Sequence, residues 1–277
     1  MGMLGSPIGL LSPRIREKLL SNYSLAQGVY YGVATDLAHL STKAQSARAC
    51  KYLMNDQSLI LQLQQVLNRT LPDCELSITS PPLCPELRLA LIHPELSEAP
   101  LPHEAMLKVL ETPAYWCFCW ASGQVLAQYL HQNPAWVRGR QVIDFGAGSG
   151  IVGIAAKLAG AETVIAVDND PDALAACRVN AAINQVDIKT QAELPLHPGK
   201  DDLIIAADVL YDRDNLPLLD MLPERADKVL IADSRIKRFA HPLYRKLGQK
   251  TATTWPDLEE HPEYNRVSIF ESKGDIP

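Results

Sequence analysis

The 277-residue chain contains no pair of cysteines in a Cys-x-x-Cys spacing; its six lie at 50, 74, 84, 117, 119 and 177. That argues against a structural zinc site, which needs closely paired ligands. Cys117 and Cys119 are read as ordinary buried thiols, and so scattered a set predicts a reducing compartment, the cytoplasm. No apolar run is long enough to span a bilayer. The apolar start, Met1–Leu11, lacks the basic segment of a secretory signal. Positive charge is in deficit too: 26 Lys and Arg stand against 32 Asp and Glu, a net charge of −6. A general nucleic-acid binder is usually basic. Histidines such as His93, His103 and His241 show no metal-ligand spacing, so no metal is expected. Between residues 1 and 50, five basic residues (Arg14, Arg16, Lys18, Lys43, Arg48) outnumber Glu17 and Asp36. We read this as an ordinary helical N-terminus in preference to an organelle presequence.

What is present is a globular composition, 47% hydrophobic and 21% charged. It suffices for one large core, or one domain with a smaller extension. Residues 1–110 carry few strand signals and form the expected extension, helical and proline-rich. Ser12 and Pro13 look like a helix start, and Leu59–Leu67 is a helical run. Proline recurs from Pro72 to Pro102 and predicts mostly irregular or extended chain there. Residues 111–277 form the expected main domain. A helix is predicted over Trp120–His131 from apolar spacing. Beyond Pro134, strands are predicted at Gln141–Phe145, Thr163–Asp168, Val186–Thr190, Leu203–Asp208 and Lys228–Asp233. Helices are predicted at Ile151–Leu158, Pro171–Asn184, Arg213–Leu222 and His241–Leu247. Thr251–Trp255 and Arg266–Glu271 read as an antiparallel closing pair. Short, continuously apolar strands alternating with helices predict a doubly wound, Rossmann-like α/β sheet covered on both faces.

Between the first of these strands and its helix runs Val142-Ile-Asp-Phe-Gly-Ala-Gly-Ser-Gly150. Glycines in such a turn permit unusual dihedrals and let a ligand approach the backbone, at the carboxyl ends of the strands. The pattern has two readings. Gly148-x-Gly150-x-x-Gly153, with Asp168 twenty residues after Gly148, fits a dinucleotide fingerprint and hence an NAD-dependent oxidoreductase. Against it, Asp144 lies inside the strand, where a carboxylate suits a cationic ligand and opposes a pyrophosphate. The chain already turns at Gly146, and a second acidic cluster, Asp208 to Asp212, closes the fourth strand. Together these favour S-adenosylmethionine, which carries an ammonium and a sulfonium but no phosphate.

Asp144-x-Gly146-x-Gly148-x-Gly150, then Asp168, then Asp208-x-x-Tyr211 resembles the seven-β-strand class I methyltransferases. Within them the chain is most similar to the electron-transfer flavoprotein β-subunit lysine methyltransferases and bacterial relatives labelled ribosomal protein L11 methyltransferase-like. The likeness runs from about Pro85 to Asp233. It rests on Pro85-Glu-Leu-Arg88, Tyr115-Trp116, Trp120-Ala-Ser-Gly-Gln124, Asn133-Pro134, Val137-Arg-Gly-Arg140, Ala155-Ala-Lys157 and Asp168-Asn-Asp-Pro171. Two places depart from it. Ala232-Asp-Ser-Arg-Ile-Lys237 replaces a Gly-Asp-Pro-Gly-Arg type segment, and the first 70 or so residues have no counterpart.

The resemblance implies a seven-stranded sheet with an antiparallel strand near its C-terminus, S-adenosylmethionine as cofactor and a protein lysine as acceptor. It places Asp144 and Gly146 along the methionine end and Gly148 and Gly150 beneath it. Asp168 would sit at the ribose, Asn169 beside the adenosine, Ala192 beside the adenine, and Trp120 against the cofactor or the substrate entrance. Asp208 and Tyr211 are the expected reacting-end residues, with Asp208 also near the cofactor. Ser122 and Gly123 would leave room for a ligand. Asp212 is the expected helix cap in place of Asp208. Arg235, Lys237 and Arg238 form a basic cluster facing either an acidic substrate or solvent. Alternatives to a lysine acceptor are a small-molecule N-methyltransferase of the nicotinamide type and a non-enzymatic cofactor-binding module. The expected partner is a protein, with no nucleic acid and no membrane, and the chain is expected to act as a monomer.

Overall fold

The computed structural model describes residues 56–72, 74–93, 113–195, 200–236 and 239–273. The expected helix start at Ser12 and Pro13, and the side chains of Lys237 and Arg238, lie outside them.

Among the described residues nine strands form two sheets. A small hairpin pairs β1 (Leu76–Thr79) with β2 (Leu89–Ile92). The main sheet has β3 (Gln141–Phe145), β4 (Thr163–Val167), β5 (Lys189–Gln191), β6 (Asp201–Ala207), β7 (Ala226–Asp233), β8 (Tyr244–Thr251) and β9 (Arg266–Ser272). Its order is β5-β4-β3-β6-β7-β9-β8. All neighbours pair in parallel except at β9, which runs antiparallel to both β7 and β8. This is the doubly wound, Rossmann-like sheet with one reversed strand that the sequence predicts. Four helices join it: α1 (Ala121–Gln132), α2 (Ile151–Leu158), α3 (Pro171–Ile183) and α4 (Leu218–Arg225).

The apolar runs serve two cores at once because successive strand residues face opposite sides. In β3, Val142 packs into one core and Ile143 into the other; in β6, Leu203 and Ile205 alternate with Ile204 and Ala206. The first core lies under α1 and α2, with Leu126, Leu130, Ile151 and Ile154. The second lies under α4, with Leu219 and Leu222. A third core joins the helical segment 56–67 and the hairpin to the outer face of α3, through Leu63, Leu67, Leu76, Trp116, Val179 and Ile183.

Five sequence readings shift. The proline-rich stretch holds the β1–β2 hairpin. Its described prolines, such as Pro81, Pro82 and Pro85, lie outside the strands, while its eight strand residues keep the hydrogen-bonded register. The predicted strand Val186–Thr190 forms only at Lys189–Gln191, a short edge strand. The predicted helix Arg213–Leu222 is a 3-10 turn, Arg213–Asn215, followed by α4, because Pro217 sits at the helix start. The predicted helix His241–Leu247 is instead a turn at 241–243 followed by the first four residues of β8. Most of that strand's side chains meet solvent, as suits an edge strand, and a bulge between Lys246 and Gly248 breaks its alternation. Finally, the closing pair is formed by β8 with β9, and β8 ends at Thr251, where a strand was predicted to start.

Candidate active site

The chain leaves β3 towards β4 on one side and returns to β6 on the other, so the loops after β3 and β6 diverge. A crevice forms at such a switch point. A cavity of about 680 Å³ lies there, a size that suits a small molecule.

The turn after β3 is built from positive φ angles: 68° at Gly146, 52° at Gly148 and 80° at Gly150. A Cβ at Gly148 would meet nothing within 4 Å, so the backbone there is open to a ligand. Its amide donates to Asp168 Oδ2 at 2.9 Å. The other oxygen of Asp168 accepts the amide of Asp170 at 3.0 Å. Each oxygen therefore keeps one acceptor site, which suits a vicinal diol. Burial raises the Asp168 carboxyl, and the two amides pull it back. Asn169, Asp170, Ala192, Glu193 and Leu194 continue this wall.

Two helices start on residues unable to cap themselves, and a strand-end carboxylate caps each one. The N-cap of α2 is Gly150, without a side chain. Asp144, 1% exposed, accepts the Gly153 amide at 2.7 Å instead. A Cβ on Gly153 would stand 2.9 Å from that carboxylate, so the third glycine is there for close approach. This corrects two expectations: Asp144 and Gly150 do not line the cavity, and Asp144 acts from beneath on the helix start. It also counts against a dinucleotide, whose pyrophosphate would need the amides at that helix start.

The N-cap of α1 is Trp120, which makes no cap hydrogen bond. Asp208, in the left-handed region at φ 52°, supplies the cap. Its Oδ2 accepts the Ser122 amide at 3.1 Å. Its Oδ1 accepts the Ser122 hydroxyl at 2.6 Å, the Ser234 hydroxyl at 2.9 Å and the Ser234 amide at 3.2 Å. One acceptor site on Oδ2 remains. Ser122 and Gly123 therefore make no room for a ligand: Ser122 is fully buried on Asp208, and a Cβ at Gly123 would lie 3.1 Å from Ile151. Asp212 caps the following turn by accepting from Asp214, as predicted.

Three aromatic rings edge the cavity near Asp208. Tyr115 stands 6.0 Å, edge-on, from both Trp120 and Tyr211. The Trp120 indole donates to the Tyr115 carbonyl at 3.0 Å. Tyr211 is 39% exposed, and burial of its hydroxyl, with Asp212 and Asp168 nearby, raises its pKa.

The structure thus brings Trp120, Gly146, Gly148, Asp168, Asn169, Ala192, Asp208 and Tyr211 to one cavity. Sequence reasoning gave no role to Tyr115, Asn180 or Val209. Asn180, fully buried, donates to the Ser149 carbonyl and accepts from Ala90, tying the glycine turn to the hairpin. Only a polar residue on the apolar face of α3 signalled it. Among the described lining residues Asp168, Asp170, Glu193 and Asp208 stand with one cation, Arg235. A donor that is cationic at sulfur and nitrogen fits that balance. No cluster of metal-ligating residues occurs among the described residues.

A family model described as Ribosomal protein L11 methyltransferase (PrmA) matches residues 124–224. The electron transfer flavoprotein beta subunit lysine methyltransferase of Xenopus laevis is 36% identical over 195 residues, covering 67% of this chain and 78% of that protein. The chain belongs to the electron transfer flavoprotein beta subunit lysine methyltransferase family. The Mus musculus member of this family is 37% identical over 152 residues; the match covers 52% of the chain and 60% of the mouse protein. A crystal structure of a ribosomal protein L11 methylase from Lactobacillus delbrueckii subsp. bulgaricus aligns with a TM-score of 0.43 and 27% identity, over 56% of this chain and 79% of that one. The segment from Asp208 to Tyr211 joins the capping carboxylate to the aromatic rim. No helix among the described residues is long and apolar enough to cross a membrane.

Proposed function

We propose that this chain transfers a methyl group from S-adenosylmethionine to a lysine side chain of a protein. One observation carries the reading: an acid-lined cavity at the glycine turn, with Asp168 at one end and an aromatic rim beside Asp208 at the other. Family membership supports it, since the relatives are named lysine methyltransferases.

Asp168 would hold the ribose hydroxyls through its two free acceptor sites, and Asn169, Ala192 and Leu194 would enclose the base. Gly146 and Gly148 would pass beneath the methionine end. When bound, the donor supplies a methyl carbon already activated by the sulfonium, so the protein's task is alignment. A lysine ammonium, with an ordinary pKa of about 10.4, must lose a proton first. The remaining acceptor site of Asp208 Oδ2 would receive that ammonium, orient it and let the proton pass to water. Tyr115, Trp120 and Tyr211 would wall the alkyl stem and face the cation with their π-systems. No disulfide joins the described cysteines, in keeping with work in the cytoplasm, and a monomeric enzyme is proposed.

Radiolabelled methyl transfer in a cell lysate, followed by mass spectrometry of the labelled band, tests the acceptor class. A methylated lysine in a protein band is expected. Label confined to small molecules would replace the lysine reading by small-molecule N-methylation. Stabilisation by NADH and not by S-adenosylhomocysteine in a thermal shift would overturn the donor itself.

A further inference from the structure

One edge of β2 has no strand beside it. Backbone groups at such an edge need partners from elsewhere, and α3 supplies them from side chains one helical turn apart. Asn184 accepts the Arg88 amide at 3.0 Å and donates to the Arg88 carbonyl at 2.6 Å. Asn180 accepts the Ala90 amide at 2.7 Å. Residues four apart on a helix share a face, and backbone amides two apart on a strand point to the same edge, so the two elements match in register.

Asn180 also bonds in the opposite direction. Its side-chain nitrogen donates to the Ser149 carbonyl at 2.8 Å. Ser149 stands between Gly148 and Gly150, both at positive φ, and the Gly148 amide is the donor that braces Asp168. Cys177, three residues before Asn180, points its thiol at the Gly148 carbonyl at 3.4 Å. Asn180 and Ser149 are both buried. The carboxamide cannot flip, because a backbone amide only donates to it and a backbone carbonyl only accepts from it. A shift of the hairpin therefore either carries the Ser149 carbonyl with it or breaks a buried hydrogen bond, which is costly.

We propose that Asn180 is a positioning residue for the methyl-donor cavity, and that the seating of the β1–β2 hairpin on α3 sets, through its two bonds, how tightly the glycine turn receives the nucleoside. The hairpin thereby serves the donor site although no residue of β1 or β2 lines the cavity. The proposal rests on the reading of that cavity as a methyl-donor site.

The test is the affinity for S-adenosylhomocysteine, by calorimetry at pH 5.5 and pH 8, of wild type, Asn180→Asp and Asn184→Ala. Melting curves establish that each variant is folded under both conditions. Asn180→Asp keeps an acceptor for Ala90 and loses the donor to Ser149; burial holds its carboxyl above the ordinary range, and once protonated its O–H can donate to that carbonyl. At pH 8 it should bind about tenfold or more weakly than wild type, and at pH 5.5 the gap should close to about threefold or less. Taking each ratio to wild type at the same pH cancels the titration of Asp144 and Asp168. Asn184→Ala removes both bonds to Arg88 and leaves the turn untouched. It should weaken binding about two- to fivefold at both pH values. A structural role alone would lower the melting temperatures and leave the affinity of the folded variants at the wild-type value, which overturns the proposal while the donor reading stands. Wild-type affinity in Asn184→Ala overturns the link to the hairpin even if Asn180→Asp binds weakly. Failure of wild type to bind S-adenosylhomocysteine overturns the donor reading and the proposal with it.

Discussion

Asp168 and Asp208 follow the two strands that flank β3 and line the same cavity, yet they are committed differently. Asp168 accepts two backbone amides, one on each oxygen, and keeps an acceptor site on each. Asp208 accepts four donors, three of them on one oxygen. The Asp168 end of the cavity thus holds acceptors in reserve, whereas the Asp208 end uses most of its carboxylate to hold the framework together.

The largest effect is expected from Asp168→Ala. Loss of the ribose acceptors and of the brace on Gly148 should weaken S-adenosylhomocysteine binding by at least about 100-fold in calorimetry. Asp208→Ala should instead leave that affinity within about threefold. It should cost about 2–4 kcal/mol in urea denaturation, because two serine hydroxyls and two amides lose their acceptor, and it should lower kcat. Equal loss of nucleoside binding in both variants would erase the contrast between the two aspartates.

A smaller effect sharpens it from below. Burial, with Asp168 adding repulsion and the Gly153 amide opposing, raises the Asp144 carboxyl from 3.8 to about 7. The folded protein therefore holds this proton more tightly than the unfolded chain. The resulting stabilisation is complete below about pH 4 and is lost as pH rises through 7. Asp144→Asn should flatten that part of the pH–stability curve; an unchanged slope between pH 4 and 7 would show that Asp144 does not supply it. The smallest change is expected at the rim: Tyr211→Leu should raise KM for a lysine substrate about 2–5-fold, with nucleoside affinity unchanged.

The core of the fold was legible because it follows local rules. Continuous apolar strands, the glycine turn and the capping aspartate Asp212 all act within a few residues of themselves. The two remote caps were not legible. Asp144 lies nine residues from Gly153, and Asp208 lies 86 from Ser122. No short-range pattern joins them, so both carboxylates were read as ligand contacts. The same holds for Asn180, 90 residues from Ala90. The first half of edge strand β8 reads as a helix because its exposed, bulged sequence lacks the alternation that a buried strand imposes. Eight of the ten expected site residues do meet at the cavity, since strand order alone carries their loops to one end of the sheet.

The shared grip of Ser122 and Ser234 on one carboxylate has a mechanical consequence. The start of α1 and the loop leaving β7 behave as a single jaw, with Asp208 as its pin. Trp120, just before Ser122, and Arg235, just after Ser234, are thereby held in register across the cleft through one carboxylate.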